Sequence, residues 1–166
     1  TYAGRLKNLQ GISENERYLF VHGDIADEPT VHHLLETYQP WAVVHFAAES
    51  HVDNSIGDPT AFINTNVLGT YNLLECVRKF LLTQASSARD KFKFIHVSTD
   101  EVFGSLGREG KFTEESPYQP NSPYSASKAA SDHLVRAWGE TYGITNLVSN
   151  CSNNYGPYQY PEKRIP

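Results

Sequence analysis

The sequence predicts a doubly wound α/β fold, in which a parallel β-sheet carries helices on both faces. Apolar runs of strand length alternate along the 166 residues with segments whose apolar residues recur at helical spacing. The run at residues 41–47 is almost continuously apolar, which is typical of a strand buried on both faces, and residues 92–97 form another apolar run of strand length. Helix-length segments separate these runs, as the crossovers between parallel strands require. Together these observations favour a parallel sheet over an antiparallel one.

The chain begins its regular structure with a strand predicted at residues 17–22 and a helix predicted at residues 29–38. Val31, Leu34 and Leu35 share one face of that helix, so the face is expected to pack on the sheet. A Gly-Asp pair ends the strand, because glycine and aspartate favour turns.

The longest predicted helix spans residues 59–82, because Asp58-Pro59 is a start signal and apolar residues then recur at helical spacing. The later elements are predicted as a polar loop at 85–90, a strand at 92–97, a loop at 104–123, a helix at 124–142, a strand at 144–149 and a C-terminal coil. No repeat or linker interrupts this order, so we expect a single domain over residues 1–166.

Composition excludes several classes of function. The 14 Lys and Arg against 19 Asp and Glu give a net charge of −5, with no basic cluster, so nucleic acid is not expected as a partner. The apolar run at residues 41–48 is shorter than the ~20 residues of a membrane span, so no membrane partner is expected. The two cysteines, Cys76 and Cys151, form no Cys-x-x-Cys motif, which favours a cytoplasmic protein.

Small and polar residues follow each predicted strand. Ligands of such sheets bind outside the carboxyl ends of the strands, so these residues are candidate site residues. They are Asp24 and Ile25 after the first strand, Ala47, Ala48, Glu49 and Ser50 after the second, Ser98, Thr99, Asp100 and Glu101 after the third, and Asn153 and Asn154 after the fourth.

Tyr124 and Lys128 form a Tyr-x-x-x-Lys pair at the start of the last predicted helix. Residues four apart lie on one face of a helix, so both side chains can reach one ligand. A tyrosine ionises near pH 10, and a neighbouring ammonium favours its phenolate by ~1 to 3 pKa units. The pair therefore suits a tyrosine base, although a solvated helix face would show the same spacing.

Further motifs make the pattern specific. The chain resembles the extended short-chain dehydrogenase/reductases and, within them, the dTDP-glucose 4,6-dehydratases. The matching segments are Thr1-Tyr2-Ala3-Gly4, Gly23-Asp24-Ile25, Phe46-Ala47-Ala48-Glu49-Ser50-His51-Val52-Asp53, Ser98-Thr99-Asp100-Glu101-Val102, Tyr124-Ser125-Ala126-Ser127-Lys128, Asn153-Asn154-Tyr155-Gly156-Pro157-Tyr158 and Pro161-Glu162-Lys163. This resemblance covers the whole chain and implies a Rossmann-type sheet.

The resemblance implies an NAD-dependent lyase that converts dTDP-glucose to a 4-keto-6-deoxy sugar. Tyr124, assisted by Lys128 and Thr99, would take the C4 hydroxyl proton while C4 is oxidised. Loss of water from C5 and C6 needs an acid and a base, which the resemblance assigns to Asp100 and Glu101 respectively. Two neighbouring carboxylates repel, which favours one of them remaining protonated. Hydride return to C6 would then regenerate the NAD.

The same resemblance assigns the binding residues. The cofactor-binding set is Asp24, Ile25, Phe46, Ala47, Ala48, Glu49, Ser50, Thr65, Tyr124, Lys128 and Asn154. The substrate-binding set is Ser50, Thr99, Asn153, Lys163 and Arg164. For Thr65, a hydroxyl bonded back along its own helix is an equally open interpretation. Departures from the family pattern are Asn54, Phe103 and Arg164, where the family commonly has Arg, Tyr and an aliphatic residue.

The family pattern also has parts that precede and follow these residues. The glycine-rich turn of the first βαβ unit and a C-terminal substrate lobe are absent, so we expect a partial domain that is inactive alone, with residues 157–166 beginning a substrate-binding segment. A homodimer is implied for the complete enzyme. The seven histidines show no ligand spacing, so no metal is expected. Another nucleotide-sugar epimerase or dehydratase, or a segment that only binds nucleotide, stays open.

Overall fold

The computed structural model describes residues 4–160, which divide into two compact units. The larger unit is Asp24–Ser152, and the described part of the smaller one comprises residues 4–23 and 153–160. The assignment of a single domain, with residues 157–166 beginning a substrate-binding segment, stays a prediction.

The smaller unit contains a 3₁₀-helix at Leu6–Leu9 followed by turns, and residues 18–23 have no regular structure. The strand predicted at residues 17–22 is therefore wrong. An apolar run becomes a strand only where a neighbour completes its backbone hydrogen bonds, and no described segment does so here. The side chains of Leu19, Phe20 and Val21 are 59%, 47% and 43% exposed.

The larger unit is built on a parallel sheet of three strands in the order β1-β2-β3. They are β1 (Ala42–His45), β2 (Lys93–Thr99) and β3 (Asn146–Cys151). In register, Phe94 of β2 pairs with Val43 of β1 and with Asn146 of β3. The three later predicted strands and their parallel arrangement are thus confirmed, and the class is a Rossmann-like α/β fold.

The larger unit also contains six α-helices, one wider π-helical segment and one tighter 3₁₀ turn. They are α1 (Glu28–Tyr38), α2 (Val52–Gly57), α3 (Thr60–Phe62), a π-helical segment (Ile63–Gly69), α4 (Thr70–Leu82), α5 (Ser86–Lys91), a 3₁₀ turn (Asp100–Phe103) and α6 (Pro123–Tyr142). The helix predicted at residues 59–82 is confirmed, with a π-helical middle that its periodicity did not reveal.

The loop predicted at residues 85–90 is wrong, because the structure forms α5 there. The backbone amides of Ala88 and Arg89 both donate to the carbonyl of Ala85, which closes the first turn. A short helix with no buried residue has no apolar face, so hydrophobic periodicity cannot indicate it.

One face of the sheet carries the hydrophobic core. Side chains of α1, α4, β2 and α6 form a single cluster around Leu74, Val77, Phe94 and Val135, each of which is fully buried. The opposite face is far more open, since Val44 and Leu147 are 49% and 56% exposed. In the part of the chain that the structure describes, no helix is both long and apolar enough to span a bilayer.

The inward-facing residues of β2 are Phe94, His96 and Ser98, all buried against the helices. The strand runs directly into the 3₁₀ turn, and the irregular segment after it returns to the body through a hydrogen bond from the Gln119 amide to the Val102 carbonyl. Gly104 has a φ of 96°, and a Cβ there would lie 2.6 Å from the Gln119 carbonyl oxygen. Glycine is therefore required where the segment leaves the 3₁₀ turn.

Candidate active site

The carboxyl end of β2 presents two acidic side chains at the start of a tight turn. Thr99 caps that turn, because its Oγ1 accepts a hydrogen bond of 3.2 Å from the backbone amide of Glu101. Asp100 and Glu101 occupy the first positions of the turn, and both are half-buried. The capped turn therefore holds the two carboxyl groups at the sheet edge where ligands of parallel sheets bind.

The start of α6 is fixed by its own cap. The Ser122 hydroxyl accepts from the Ser125 amide, and the Ser125 hydroxyl accepts from the Ser122 amide, each at 3.0 Å. This reciprocal capping box, followed by Pro123 at the first helical position, sets where the helix begins. Tyr124 and Lys128 then lie one turn apart on the buried face, 9% and 3% exposed.

The Tyr124 hydroxyl lies in the same cluster as the β2 turn. Burial raises the pKa of Tyr124 to about 12, a hydrogen bond with Thr99 opposes this rise, and the charges of Glu101 and Asp100 add to it. The Tyr124 ring also packs edge-on against Phe62, with centroids 6.2 Å apart. Tyr124, Thr99, Asp100 and Glu101 therefore form one electrostatically coupled group at the end of β2.

Lys128 is almost completely enclosed. Its Nζ donates a hydrogen bond of 2.8 Å to the Val97 carbonyl and lies 3.4 Å from His96 Nε2. Burial lowers the pKa of Lys128 to about 8, and the negative charge of Asp132 opposes that fall. Lys128 thus keeps its proton at neutral pH.

The loop after β1 is held by a side chain from the π-helical segment. Asn66, 1% exposed, accepts from the Glu49 amide at 2.9 Å and donates to the Glu49 carbonyl at 3.0 Å. Its Nδ2 also donates to Ser127 Oγ at 2.8 Å, and Ser127 Oγ in turn donates to the Tyr124 carbonyl at 2.7 Å. Asn66 therefore ties the loop to the helix turn that carries Tyr124.

The turn at Asp24 and Ile25 is fastened to the same helical stretch. Asp24 Oδ1 accepts from the Ala26 amide at 2.8 Å, and the Ile25 carbonyl accepts from Asn72 Nδ2 at 2.7 Å. At Gly69, an added Cβ would lie 2.7 Å from Ile25 Cδ1, so a larger residue would displace the Ile25 side chain. Asn72 thus fixes a turn whose contact with the cofactor stays a prediction.

The structure places most of the predicted site residues in the larger unit. Thr99, Asp100, Glu101, Tyr124 and Lys128 come together, and the loop of Phe46, Ala47, Ala48, Glu49 and Ser50 is tied to their helix. Thr65 precedes Asn66 in the π-helical segment, and its part in cofactor binding stays a prediction.

Four predicted binding residues lie elsewhere. Asn153 and Asn154 belong to the smaller unit, so their roles stay predictions. Lys163 and Arg164 lie outside the described residues. Of the departures from the family pattern, Phe103 packs its ring against Tyr118, with centroids 5.2 Å apart.

Sequence reasoning missed three residues of this region: Asn66, Asn72 and Asp132. Asp132 lies one turn beyond Lys128 on the same face of α6, so helical spacing could have indicated it. Asn66 and Asn72 act on segments distant in sequence, which no local pattern reveals. Within residues 4–160, no group of three or more His, Cys, Asp or Glu is arranged to hold a metal ion.

Comparisons with known proteins show the same fold. The chain belongs to the family described as GDP-mannose 4,6 dehydratase, whose model matches residues 1–166. Among individual relatives, the chain is 61% identical over 166 residues to a dTDP-glucose 4,6-dehydratase of Xanthomonas campestris pv. campestris (strain B100), covering 100% of this chain and 47% of the relative. A dTDP-glucose 4,6-dehydratase of Salmonella typhimurium is 54% identical over 175 residues, covering 100% of this chain and 48% of that protein.

Solved structures show the same relationship. A dTDP-glucose 4,6-dehydratase of Streptomyces venezuelae, solved with NAD and TYD bound, superposes with a TM-score of 0.90 at 48% identity, covering 100% of this chain and 48% of that one. A UDP-glucose 4-epimerase of Thermus thermophilus, solved with NAD, has a TM-score of 0.79 at 28% identity, covering 95% of this chain and 53% of that one. The chain spans about half the length of the curated relatives it matches.

Proposed function

We propose that the protein containing this chain is an NAD-dependent dTDP-glucose 4,6-dehydratase, which forms a 4-keto-6-deoxy sugar nucleotide. The observation that carries the proposal is the grouping of Tyr124 with Thr99, Asp100 and Glu101 at the end of β2. Oxidation at C4 needs one base, whereas elimination of water needs an additional acid and base. A site with a tyrosine and two carboxyl groups offers all three.

The chain's residues fit an NAD cofactor. The loop of Phe46 to Ser50 has small side chains at Ala47 and Ala48, and Asn66 holds its backbone from both sides of Glu49. Asp24 and Ile25, Ser50, Thr65, Tyr124, Lys128 and Asn154 complete the proposed contacts. When bound, NAD supplies a hydride acceptor and donor together with a positive charge.

In the proposed mechanism, Tyr124 removes the proton of the C4 hydroxyl. Burial raises the pKa of Tyr124 to about 12, so this tyrosine needs nearby positive charge to act near neutral pH. The Lys128 ammonium, one turn away on α6, is proposed to supply part of that charge. Thr99, whose hydrogen bond lowers the pKa of Tyr124, favours the same phenolate. Lys128 and Thr99 therefore assist the base from two sides.

Asp100 and Glu101 are proposed to carry out the elimination. Glu101 takes the C5 proton, and Asp100 donates a proton to the departing C6 hydroxyl. Both lie in the first turn after β2, where Thr99 fixes the backbone that carries them. Ser50, Thr99, Asn153, Lys163 and Arg164 are proposed to contact dTDP-glucose.

We also propose a homodimer in the cytoplasm, with dTDP-glucose as the small-molecule partner. Cys76 and Cys151 are both free thiols, which supports a reducing compartment. The named functions of the relatives support the substrate class.

The test uses a chimera in which residues 1–166 replace the matching segment of a full-length relative; this protein is called the chimera below. With dTDP-glucose, we expect the alkali-sensitive absorbance of a 4-keto-6-deoxy sugar. The matched control is the Asp100→Asn/Glu101→Gln double variant, which keeps the size of both side chains and removes their proton transfer, and should give no product.

The outcome separates the two closest functions. If the chimera reduces bound NAD with the sugar and forms no 6-deoxy product, C4 oxidation occurs without elimination, and an epimerase-like function replaces the dehydratase. If the double variant is as active as its parent, the assignment of the two carboxyl groups is wrong.

A further inference from the structure

Lys128 and Asp132 form a buried pair of opposite charges on α6. They lie one helical turn apart, and each is only 3% exposed. Removing a charged group from water is costly unless an opposite charge and hydrogen bonds compensate for the lost hydration. The buried Lys128 ammonium therefore needs neighbouring groups that compensate for its lost hydration.

The groups that Lys128 Nζ contacts carry no negative charge. Its Nζ donates to the Val97 carbonyl at 2.8 Å and lies 3.4 Å from His96 Nε2, and both of these groups are uncharged at neutral pH. His96 is neutral because burial is the main influence on its pKa and lowers it. A compensating negative charge must come from another side chain.

Asp132 is held where it can supply that charge. Its Oδ2 accepts from Ser98 Oγ at 2.7 Å and from the Tyr118 hydroxyl at 2.9 Å. Its Oδ1 lies 3.1 Å from His96 Nε2. The ring nitrogen of His96 thus lies within 3.4 Å of both the Lys128 amine and the Asp132 carboxyl group.

The other ionisable groups facing this pair come from four further segments. They are His45 of β1, His96 of β2, Asp100 and Glu101 of the 3₁₀ turn and Tyr118 before α6, together with Tyr124 of α6 itself. The ring centroids of His45 and His96 are 5.0 Å apart. Burial lowers the pKa of His45 to about 3, so His45 is neutral at pH 7. Asp132 is the one carboxyl group among the buried residues of 4–160, and its charge is the influence that favours the Lys128 ammonium.

Building on the proposed function, we propose that Asp132, which shares His96 Nε2 as a neighbour with Lys128, is a positioning residue whose negative charge keeps Lys128 in its ammonium form one turn from Tyr124. Asp132 is not proposed to contact dTDP-glucose or NAD. Its effect reaches Tyr124 through Lys128, because a neutral amine would no longer favour the phenolate. Ser98, Tyr118 and His96 hold the carboxyl group in place.

The test is the pH dependence of kcat in the chimera carrying Asp132→Asn, which keeps the side chain's shape and removes its charge. We expect the acid limb of kcat to move up by at least about one pH unit and kcat at pH 7 to fall about tenfold, which corresponds to one pKa unit. KM for dTDP-glucose should change less than about threefold. Asp132 also raises the pKa of Tyr124 directly, so removing its charge acts the other way, and only a net upward movement of the acid limb supports the proposal.

The matched control is the Ser98→Ala/Tyr118→Phe double variant, which removes two hydrogen bonds to Asp132 and leaves its charge. If Asp132 serves only to hold these partners, the control will shift the acid limb as much as Asp132→Asn does, or Asp132→Asn will lower kcat equally at every pH. Either result overturns the proposal.

A second measurement reads Lys128 directly and needs no turnover. The ¹³Cε signal of Lys128 in lysine-labelled chimera, assigned by its loss in Lys128→Arg, should titrate above pH 7 and should move down by about one unit or more in Asp132→Asn. A neutral amine at pH 7 in the unsubstituted chimera overturns the proposal, even if Asp132→Asn does not fold. If the chimera shows no dehydratase activity, the proposed function fails, and this titration still decides the role of Asp132.

Discussion

The inward face of β2 has two halves that are equally buried and chemically opposite. In the first half, Phe94 packs among apolar side chains of α4 and α6, whereas in the second half His96 and Ser98 contact Lys128 and Asp132. Phe94 and His96 are each 0% exposed, so burial does not distinguish the halves. An apolar contact depends on volume, but a buried polar group needs a specific partner. The first half therefore contributes stability through packing, and the second half holds ionisable groups whose part in the reaction is a proposal.

The largest expected effect tests the apolar half. Phe94→Ala should lower the free energy of unfolding of the chimera by about 3–5 kcal/mol, because it leaves a cavity in the cluster around Leu74 and Val77. Urea denaturation measures the change. Leu147→Ala is the control in the same sheet, since Leu147 is 56% exposed and should lose far less. Equal losses in the two variants would contradict the difference between the two faces of the sheet.

The second prediction tests the polar half at the reacting group. Tyr124→Phe should lower turnover of dTDP-glucose by the chimera by about 10²–10⁴-fold, because it removes the proposed general base. Its free energy of unfolding should stay within about 1 kcal/mol of the parent, since one hydroxyl and its bond to Thr99 are lost. Tyr142→Phe, on an exposed position of the same helix, is the control and should keep full activity. Normal turnover by Tyr124→Phe would exclude a tyrosine base.

The third prediction concerns acid stability, which His45 of β1, a neighbour of His96 in the polar half, should limit. Burial lowers the pKa of His45 to about 3 from 6.5. Below pH 6.5 the unfolded chain therefore binds a proton at His45 that the folded chain does not, and stability falls as pH falls. Between pH 6.5 and 5 the loss from this group should be about 2 kcal/mol.

Unfolding by urea at a series of pH values measures this loss. His45→Gln removes the titrating ring while keeping a group that can bond Thr70, so its stability should vary less with pH. His33→Gln, at an exposed position, is the control and should follow the parent. If the free energy of unfolding of the parent does not change between pH 6.5 and 5, the buried His45 ring does not destabilise the protein in acid.

The last prediction tests the link between the β1 loop and α6. Asn66→Asp replaces the amide that donates to the Glu49 carbonyl and to Ser127 by an oxygen, so both donations are lost. We expect about 1–3 kcal/mol less stability and weaker NAD binding, measured by urea denaturation and calorimetry. Asn64→Asp makes the same change at an exposed position of the same segment. If both variants bind NAD equally well, Asn66 does not shape the loop.

Periodicity predicted most of the fold, because the elements of the larger unit bury one face each. The strands at residues 92–97 and 144–149 and the helix at 124–142 were predicted to within about two residues of β2, β3 and α6. Hydrophobic periodicity gave wrong predictions where a segment buries no apolar face. Helix α5 has no buried residue, and the apolar run at residues 17–22 has no described strand to pair with.

The candidate site was predicted only where its residues are neighbours in sequence or follow strands. The Tyr124 and Lys128 pair follows from spacing on one helix, and Asp100 and Glu101 follow from their place after a strand. The partners of Lys128 could not be predicted, because the approach of His96 depends on how α6 lies across β2. The same holds for Asn66, which reaches a backbone 17 residues away.

Within the π-helical segment Ile63–Gly69, a change in the number of residues should disturb the fold more than a change of side chain. A π-helical turn holds one residue more than an α-helical turn, so deleting a single residue within it would let the helix continue regularly from Thr60 to Leu82. Each residue of an α-helix turns the chain by about 100°, so the deletion would rotate one end of the helix against the other. Asn66 and Asn72 could then no longer both face their partners, Glu49 and Ile25. Evolution can therefore vary the side chains of this stretch more freely than its residue count.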